Sequence, residues 1–400
     1  MRRSTTLTTL TLAILTALAP GAAPVATAAV PAGAEPADGL RVEATRVIPA
    51  AGTSVSLLRP NARGEVPVNA STPLDTRLFV VRGTHVSRLQ STGGASVRDI
   101  DDHGVAVGVQ IRQNPDGTLR GVPLRWRRTA PQALPQPADR SLAATAINDR
   151  GDILLGSVAG LDVGPPLLRS ARGGLTPVEV PGGTALVPTS LSESARPLTD
   201  DGRVLALTAE TFPVVTFHSY VWQDGAVLAD VGAGTLATHV TESGFVAGNL
   251  YEADGTVPFL WRDGVLRRLG GLGGGAAGMS DVNESGDVVG FADRADGARR
   301  GVLWQADGRL RELATLGGVD SVAVALDARG RVAGRADDVQ GRSHPVLWID
   351  GRAVDLGLPP GATGGVALQI APDGSVYGTV TRPDGADVTV DVYRWRLTGG

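Results

Sequence analysis

The chain has no cysteine and no lysine. Without cysteine there is no disulfide framework, no thiolate metal site and no lipid-attachment residue, so the folded part must hold by packing alone. All 37 basic residues are arginine, set against 41 Asp and Glu for a net charge of −4. No basic run is present to neutralise phosphates, and nucleic acid is therefore not an expected partner. Aromatic residues make up only 4% of the chain, which leaves the core to Ala, Val, Leu and Ile. Long apolar runs are missing too. The stretch from about Leu7 to Leu18 is too short, and too soon broken by Pro20, to span a bilayer.

Several catalytic and ligand signatures are also missing. No H-E-x-x-H or comparable spacing places two imidazoles on one metal among His85, His103, His218, His239 and His344, and no G-x-S-x-G elbow occurs. The acidic run "DIDDHG", Asp99 to Gly104, lacks the alternating oxygen ligands and terminal Glu of an EF-hand and reads as a turn. "GGGAAG" at 273–278 matches the dinucleotide fingerprint, but "MSDVNESGDVVG" follows it, a strand, a turn and a strand where the fingerprint needs a helix. No cofactor, no metal and no catalytic residue is expected from these patterns.

What is present begins with "MRRSTTLTTLTLAILTALAPGAAPVATAAV": two arginines, an apolar stretch and small residues ending in Ala26-Thr27-Ala28. This is the pattern of a secretory signal, residues 1–28, and an extracellular location follows from it. Residues 29–39, "AVPAGAEPADG", carry no periodicity and read as a flexible lead. Residues 40–400 form the repeat domain.

The repeat is anchored on the last Gly of Asx-x-x-Gly. Gly64, Gly104, Gly151, Gly202, Gly244, Gly286, Gly330 and Gly374 follow one another at 40, 47, 51, 42, 42, 44 and 44 residues. Three positions earlier stand Asn61, Asp101, Asn148, Thr199, Thr241, Asn283, Asp327 and Ala371, most of which can bond their own backbone while the Gly supplies positive φ. Four positions after the anchor a small residue sits in a Val-rich strand, as at Gly108, Gly248, Gly290, Gly334 and Gly378, the mark of a close backbone approach. A further strand ends in Trp126, Trp222, Trp261, Trp304, Trp348 and Trp395, with Arg169 and Val80 in the weaker units. Asp-Gly pairs such as Asp263-Gly264 and Asp350-Gly351 then signal hairpins, and a last short strand runs into "LGG".

Each unit is thus four short strands, A to D, with no helical stretch and both faces apolar. That is the pattern of an all-β propeller whose blades each pack against two neighbours. Eight blades are predicted, seven if the unit around Gly64 is only a lid. The last unit ends after its C strand, and "LRVEATRVI", residues 40–48, is free to supply the missing strand and close the ring.

The repeat resembles the secreted HAF-type extracellular repeats, whose units look like A-x-x-Ile-Asn-x-x-Gly-x-Val-Val-Gly, His-Ala-Phe-Leu-Trp and Asp-Leu-Gly-x-Leu-Gly-Gly. The similarity covers roughly residues 50–398 and is clearest from Gly244 onward. The motif's His survives at His218 and His344, followed by Ser219 and Pro345 in place of Ala. The resemblance implies secretion and a propeller and brings no activity with it.

The expected function is a secreted, non-catalytic binding or scaffolding propeller acting on an extracellular protein or glycan, monomeric and without a membrane span. The alternative is an extracellular polysaccharide hydrolase or lyase working at the tunnel mouth. It would need acidic residues on the inner strands, which are mostly Ala, Val, Ser and Leu. The row of Trp is expected in the core between blades rather than as a sugar platform. Insertions point to a binding face. The B-to-C connections grow in the second and eighth units, where Gly104 to Trp126 and Gly374 to Trp395 are 22 and 21 residues against 18 for Gly286 to Trp304. The D-to-A stretch around residues 180–192 also grows. All three enlargements are predicted on the face of the "LGG" connections, opposite the Asx-x-x-Gly turns.

Overall fold

The structure, a computed structural model, describes residues 40–399 except 92, 159–163, 189–194, 211–215, 253–254 and 386. The signal and the lead therefore lie outside the described residues. No α-helix occurs among those described.

Thirty-one strands make eight antiparallel sheets arranged as a propeller. The first strand, β1 (Arg41–Gly52), is set apart from the blade that follows it. Blade 1 contains β2 (Ser54–Leu57), β3 (Glu65–Ser71), β4 (Thr76–Arg82) and β5 (His85–Leu89). Blade 2 contains β6 (Ala95–Ile100), β7 (Ala106–Gln113), β8 (Leu119–Trp126) and β9 (Pro131–Ala133), and blade 3 β10 (Leu142–Ile147), β11 (Ile153–Ser157), β12 (Leu167–Arg169) and β13 (Leu175–Pro177). Blade 4 has three strands, β14 (Val204–Glu210), β15 (Thr216–Gln223) and β16 (Ala226–Ala233). Blade 5 contains β17 (Thr235–Val240), β18 (Val246–Glu252), β19 (Gly255–Arg262) and β20 (Val265–Arg268), and blade 6 β21 (Gly273–Val282), β22 (Val288–Arg294), β23 (Arg299–Trp304) and β24 (Leu310–Glu312). Blade 7 contains β25 (Gly317–Leu326), β26 (Val332–Asp338), β27 (Ser343–Ile349) and β28 (Arg352–Asp355). Blade 8 contains β29 (Gly364–Ile370), β30 (Val376–Asp384) and β31 (Asp387–Thr398), with β1 on the outer side of β31 from Arg41↔Thr398 to Gly52↔Val390.

The turn chemistry accounts for the regularity. All eight anchor glycines have φ between 73° and 89°, and each donates its N–H to the carbonyl three residues back, as Gly286 does to Asn283 at 3.0 Å. Asn283 Oδ1 accepts the N–H groups of Ser285 and Asp287, which completes the loop inside the turn. At Asp224-Gly225, Asp263-Gly264 and Asp350-Gly351 both residues have positive φ, the type I′ geometry that matches the twist of paired strands.

The glycines four residues after the anchor answer to a β-bulge. An added Cβ at Gly108, Gly248, Gly290, Gly334 or Gly378 would stand 2.0–2.1 Å from a carbonyl oxygen of the neighbouring inner strand. That inner strand carries a register shift at the same place, for example between Met279 and Asp281 or between Ala323 and Ala325.

Packing is organised by blade interface. Each of the eight interfaces holds its own apolar cluster: Leu58 and Leu89 of blade 1 meet Val97 and Trp126 of blade 2, and Ile48 and Val392 of blade 8 meet Val66 and Val81 of blade 1. The six tryptophans are buried in these clusters, and three also latch blade to blade: Trp126, Trp304 and Trp348 donate Nε1–H to the carbonyls of Gln90, Gly270 and Ala314 in the preceding blade. In blade 1 the register puts Val81, paired with Val66, where the tryptophans sit, one residue beyond the predicted Val80. Blade 4 departs from the four-strand expectation. Its inner place is taken by an irregular segment that touches the sheet at Leu186↔Leu207 and Leu198↔Val204 and blade 5 at Arg196↔His239.

Candidate functional site

The inner strands converge on an axial cavity of about 760 Å³ that opens among the Asx-x-x-Gly turns. The bulges set its wall. The residue two before each Asx position faces the cavity in every blade: Arg59, Asp99, Ala146, Pro197, His239, Asp281, Ala325 and Gln369. Five of these eight are polar, at a position where the sequence suggested mostly small apolar side chains.

Most of these polar groups tie one blade to the next. Asp99 accepts N–H from Ile100 at 2.9 Å and, through its other oxygen, from Ile147 of blade 3 at 2.9 Å. Asp281 does the same with Val282 at 2.8 Å and Leu326 of blade 7 at 2.9 Å. Gln369 Nε2 donates to the Leu57 carbonyl across the seam between blades 8 and 1. Burial pushes Asp99 up to about 6, against the pull of those two N–H groups and of the Arg59 charge.

Arg196 enters from the irregular segment of blade 4 and crosses to Asp281 of blade 6 at 2.8 Å. Burial, with the nearby Arg59 charge, lowers its pKa to about 10, while Asp281 and Glu284 act in the opposite direction. Arg59 lines the cavity, is exposed, and forms no ion pair among the described residues.

The rim is a one-directional relay. The residue after the Asx position is acidic in five consecutive blades, and each carboxylate accepts the N–H of its counterpart in the preceding blade. Ala62 donates to Asp102 at 2.6 Å, Asp102 to Asp149 at 2.7 Å, Asp149 to Asp200 at 2.7 Å, Asp200 to Glu242 at 2.7 Å and Glu242 to Glu284 at 3.3 Å. Burial raises the pKa of Asp149, with Asp200 and Asp102 adding to it, and burial and the charges of Asp200, Asp201 and Glu284 raise that of Glu242. Ala328 and Pro372 break the series in blades 7 and 8. Aligning the repeats on their glycines would have exposed both acidic sets, because rim and wall residues stand at constant offsets from the anchor.

The predicted candidates are dispersed. His218 pairs with Asp230 at 2.6 Å, and His344 lies buried between Asp338 and Asp355, so both of these histidines serve to join strands. His239 lines the cavity, His103 sits in an A-to-B turn and His85 is on β5. Among the described residues no three His, Asp or Glu are grouped to hold a metal ion. Of "DIDDHG", Asp101 makes the turn, while Asp99 lines the wall and Asp102 joins the rim relay. "GGGAAG" is the start of β21, paired with β22, and not a helix entry. The enlarged segment around 180–192 lies partly outside the described residues; of the part described, Ala185 and Val187 are buried with Val178 between blades 3 and 4, while residues 181–184 are exposed. The cavity opens on the face opposite the predicted binding face. No helix among the described residues is long and apolar enough to cross a membrane.

No protein-family model matches the chain, and no curated protein is similar to it in sequence. Among solved structures it is similar to a puromycin hydrolase mutant complexed with PGG, at 16% identity and a TM-score of 0.47, over 84% of this chain and 59% of that one. It is also similar to the β-propeller domain of the Trilobed protease from Pyrococcus furiosus, at 13% identity and a TM-score of 0.48, over 76% and 98%. YCF48 bound to D1 peptide is similar at 10% identity and a TM-score of 0.46, over 92% and 97%. The chain thus spans less than two thirds of the puromycin hydrolase.

Proposed function

We propose that this is a secreted, non-catalytic binding or scaffolding propeller of the HAF-repeat kind, whose extracellular ligand enters the axial cavity from the face of the Asx-x-x-Gly turns. The observation that carries this reading is Arg59, an exposed guanidinium without an ion pair among the described residues, on the wall of a cavity otherwise rich in carboxylates. Five donors in a fixed fork suit it to capture an anionic or strongly polar group. A binding role is further supported by the carboxylates of Asp99 and Asp281, whose oxygens are engaged by backbone N–H groups and hold neighbouring blades. The test is retention of purified protein on cell-wall fractions and immobilised glycans or proteins, with and without Arg59→Ala. Equal retention of both forms removes the cavity from the reading.

The second reading is an extracellular polysaccharide hydrolase or lyase. Asp99 favours it, because a carboxyl near pH 6 in its titration is of the kind a general acid needs. Soluble product released from the same fractions, and lost in Asp99→Asn, would put the enzyme first. Secretion is tested by N-terminal sequencing of the exported chain, expected to begin at Ala29.

A further inference from the structure

We propose that a second site, the cleft between blades 4 and 5, is a saccharide subsite that takes an uncharged hexopyranose unit. It meets the axial cavity only at Val240, which lines both, and does not depend on that cavity's having a ligand.

The cleft measures about 670 Å³, within the range of roughly 300–1,000 Å³ usual for small-molecule sites. It exists because the outer strand of blade 4 is irregular. β16 pairs with β15 through two register shifts, between Ser219 and Tyr220 and between Val221 and Trp222. In blades 1, 5 and 6 the carbonyl after the last buried Leu receives the next blade's indole, at Gln90, Gly270 and Ala314. The corresponding carbonyl of blade 4 follows Val231 and belongs to Gly232, and it accepts from Thr235 Oγ1 at 2.5 Å instead. Among the described residues Trp261, the tryptophan of blade 5, makes no such bond; Trp222 and Trp395 lack it too, and what sets Trp261 apart is its place on the cleft. It lines the cleft and is 8% exposed, where the other five tryptophans are 0–1% exposed.

The lining is amphipathic. Trp261 and Leu228, the latter 58% exposed, give apolar surface, and Gln223, Arg203, Asp230 and Asp263 surround it with planar hydrogen-bonding groups. Arg203 is held by Asp201, whose carbonyl also accepts from Gln223 Nε2 at 2.9 Å, so this edge is ordered in advance. A pyranose offers the complement: an apolar C–H face for the aromatic and aliphatic surface and a belt of hydroxyls that both donate and accept. Carboxylates outnumber Arg203 in the cleft, which disfavours uronates.

The test is calorimetric titration of the whole protein with cellohexaose, chitohexaose, maltohexaose and mannohexaose, with trigalacturonate as the charged probe. At least one uncharged hexaose is expected to bind, with affinity reduced about tenfold or more by Leu228→Asp and by Gln223→Ala at an unchanged melting temperature. If Leu228→Asp does not fold, Asp263→Ala, at the exposed rim, takes its place. The proposal is overturned if no uncharged hexaose binds at about 10 mM, an affinity weaker than most specific sites, or if trigalacturonate binds best. It is equally overturned if binding is lost in Arg59→Ala and kept in Gln223→Ala, which would assign the sugar to the axial cavity.

Discussion

At Gly290 an added methyl would meet the Gly278 carbonyl oxygen at 2.0 Å, with backbone on both sides of the contact and nothing free to move. Gly290→Ala is therefore expected to cost roughly 3 kcal/mol or more, read as a drop in the urea midpoint. Gly264→Ala is the control: φ is +83° but nothing lies within 4 Å, so only the left-handed backbone penalty of about 1–2 kcal/mol applies. Equal losses at the two sites would show that conformation, not the bulge, selects glycine at 290. Asp99 gives a pH signature. Its folded pKa of about 6 stands above the ordinary 3.8, so ionisation weighs against the fold. The favourable contribution is complete below about pH 4 and is lost as pH rises through 6. The stability difference between wild type and Asp99→Asn should change by about 2 kcal/mol between pH 4 and pH 7, and a constant difference would mean that Asp99 titrates normally. These two residues also mark what the sequence made legible. Gly290 was readable as a close approach because every backbone demand repeats with the period. Asp99 was read only as part of a turn, because its neighbours Asp101 and Asp102 belong to one; its constant offset from the anchor was there to be read, but that this offset faces a cavity appears only when eight inner strands stand around one axis.

Among the elements, β1 and the irregular part of blade 4 are the ones that sequence pattern described least completely. β1 pairs with β31, and Ile48 packs into the cluster shared by blades 8 and 1. Deleting residues 29–48 strips that edge and one buried isoleucine, whose loss alone is worth about 2–5 kcal/mol, so a lower melting temperature and aggregation are expected. An unchanged melting temperature would place 40–48 outside the ring's stability. The stretch 180–192 looked like a loop enlarged for recognition, because length alone does not distinguish a surface excursion from a chain that fills a missing inner strand. Ala185 and Val187 fill that place. Replacing 180–192 by a Gly-Ser linker should lower stability by at least the roughly 1.5–3 kcal/mol of one buried valine. A melting temperature equal to the wild type's would return the segment to the surface.

For the molecule as a whole, the eight interface clusters form a closed series, since Ile48 and Val392 of blade 8 share a cluster with Val66 and Val81 of blade 1. A linear repeat array can fray from its ends, whereas here every blade is supported on two sides. One cooperative unfolding transition is expected, with tryptophan fluorescence and far-UV circular dichroism superimposing. Separate transitions in the two signals would mean that the blades unfold in groups.

The rim relay leaves the mouth with eightfold backbone and onefold charge. Asp102, Asp149, Asp200, Glu242 and Glu284 occupy one arc, blades 2 to 6, and Ala328, Pro372 and Ala62 complete the circle beside Arg59. A symmetric ring would produce no field across its own axis. Here the carboxylates are centred on blade 4 and the uncharged arc on blade 8, with Arg59 at its edge, so the field runs across the opening, and a molecule carrying both charges would be turned to lie across it before it touched either wall.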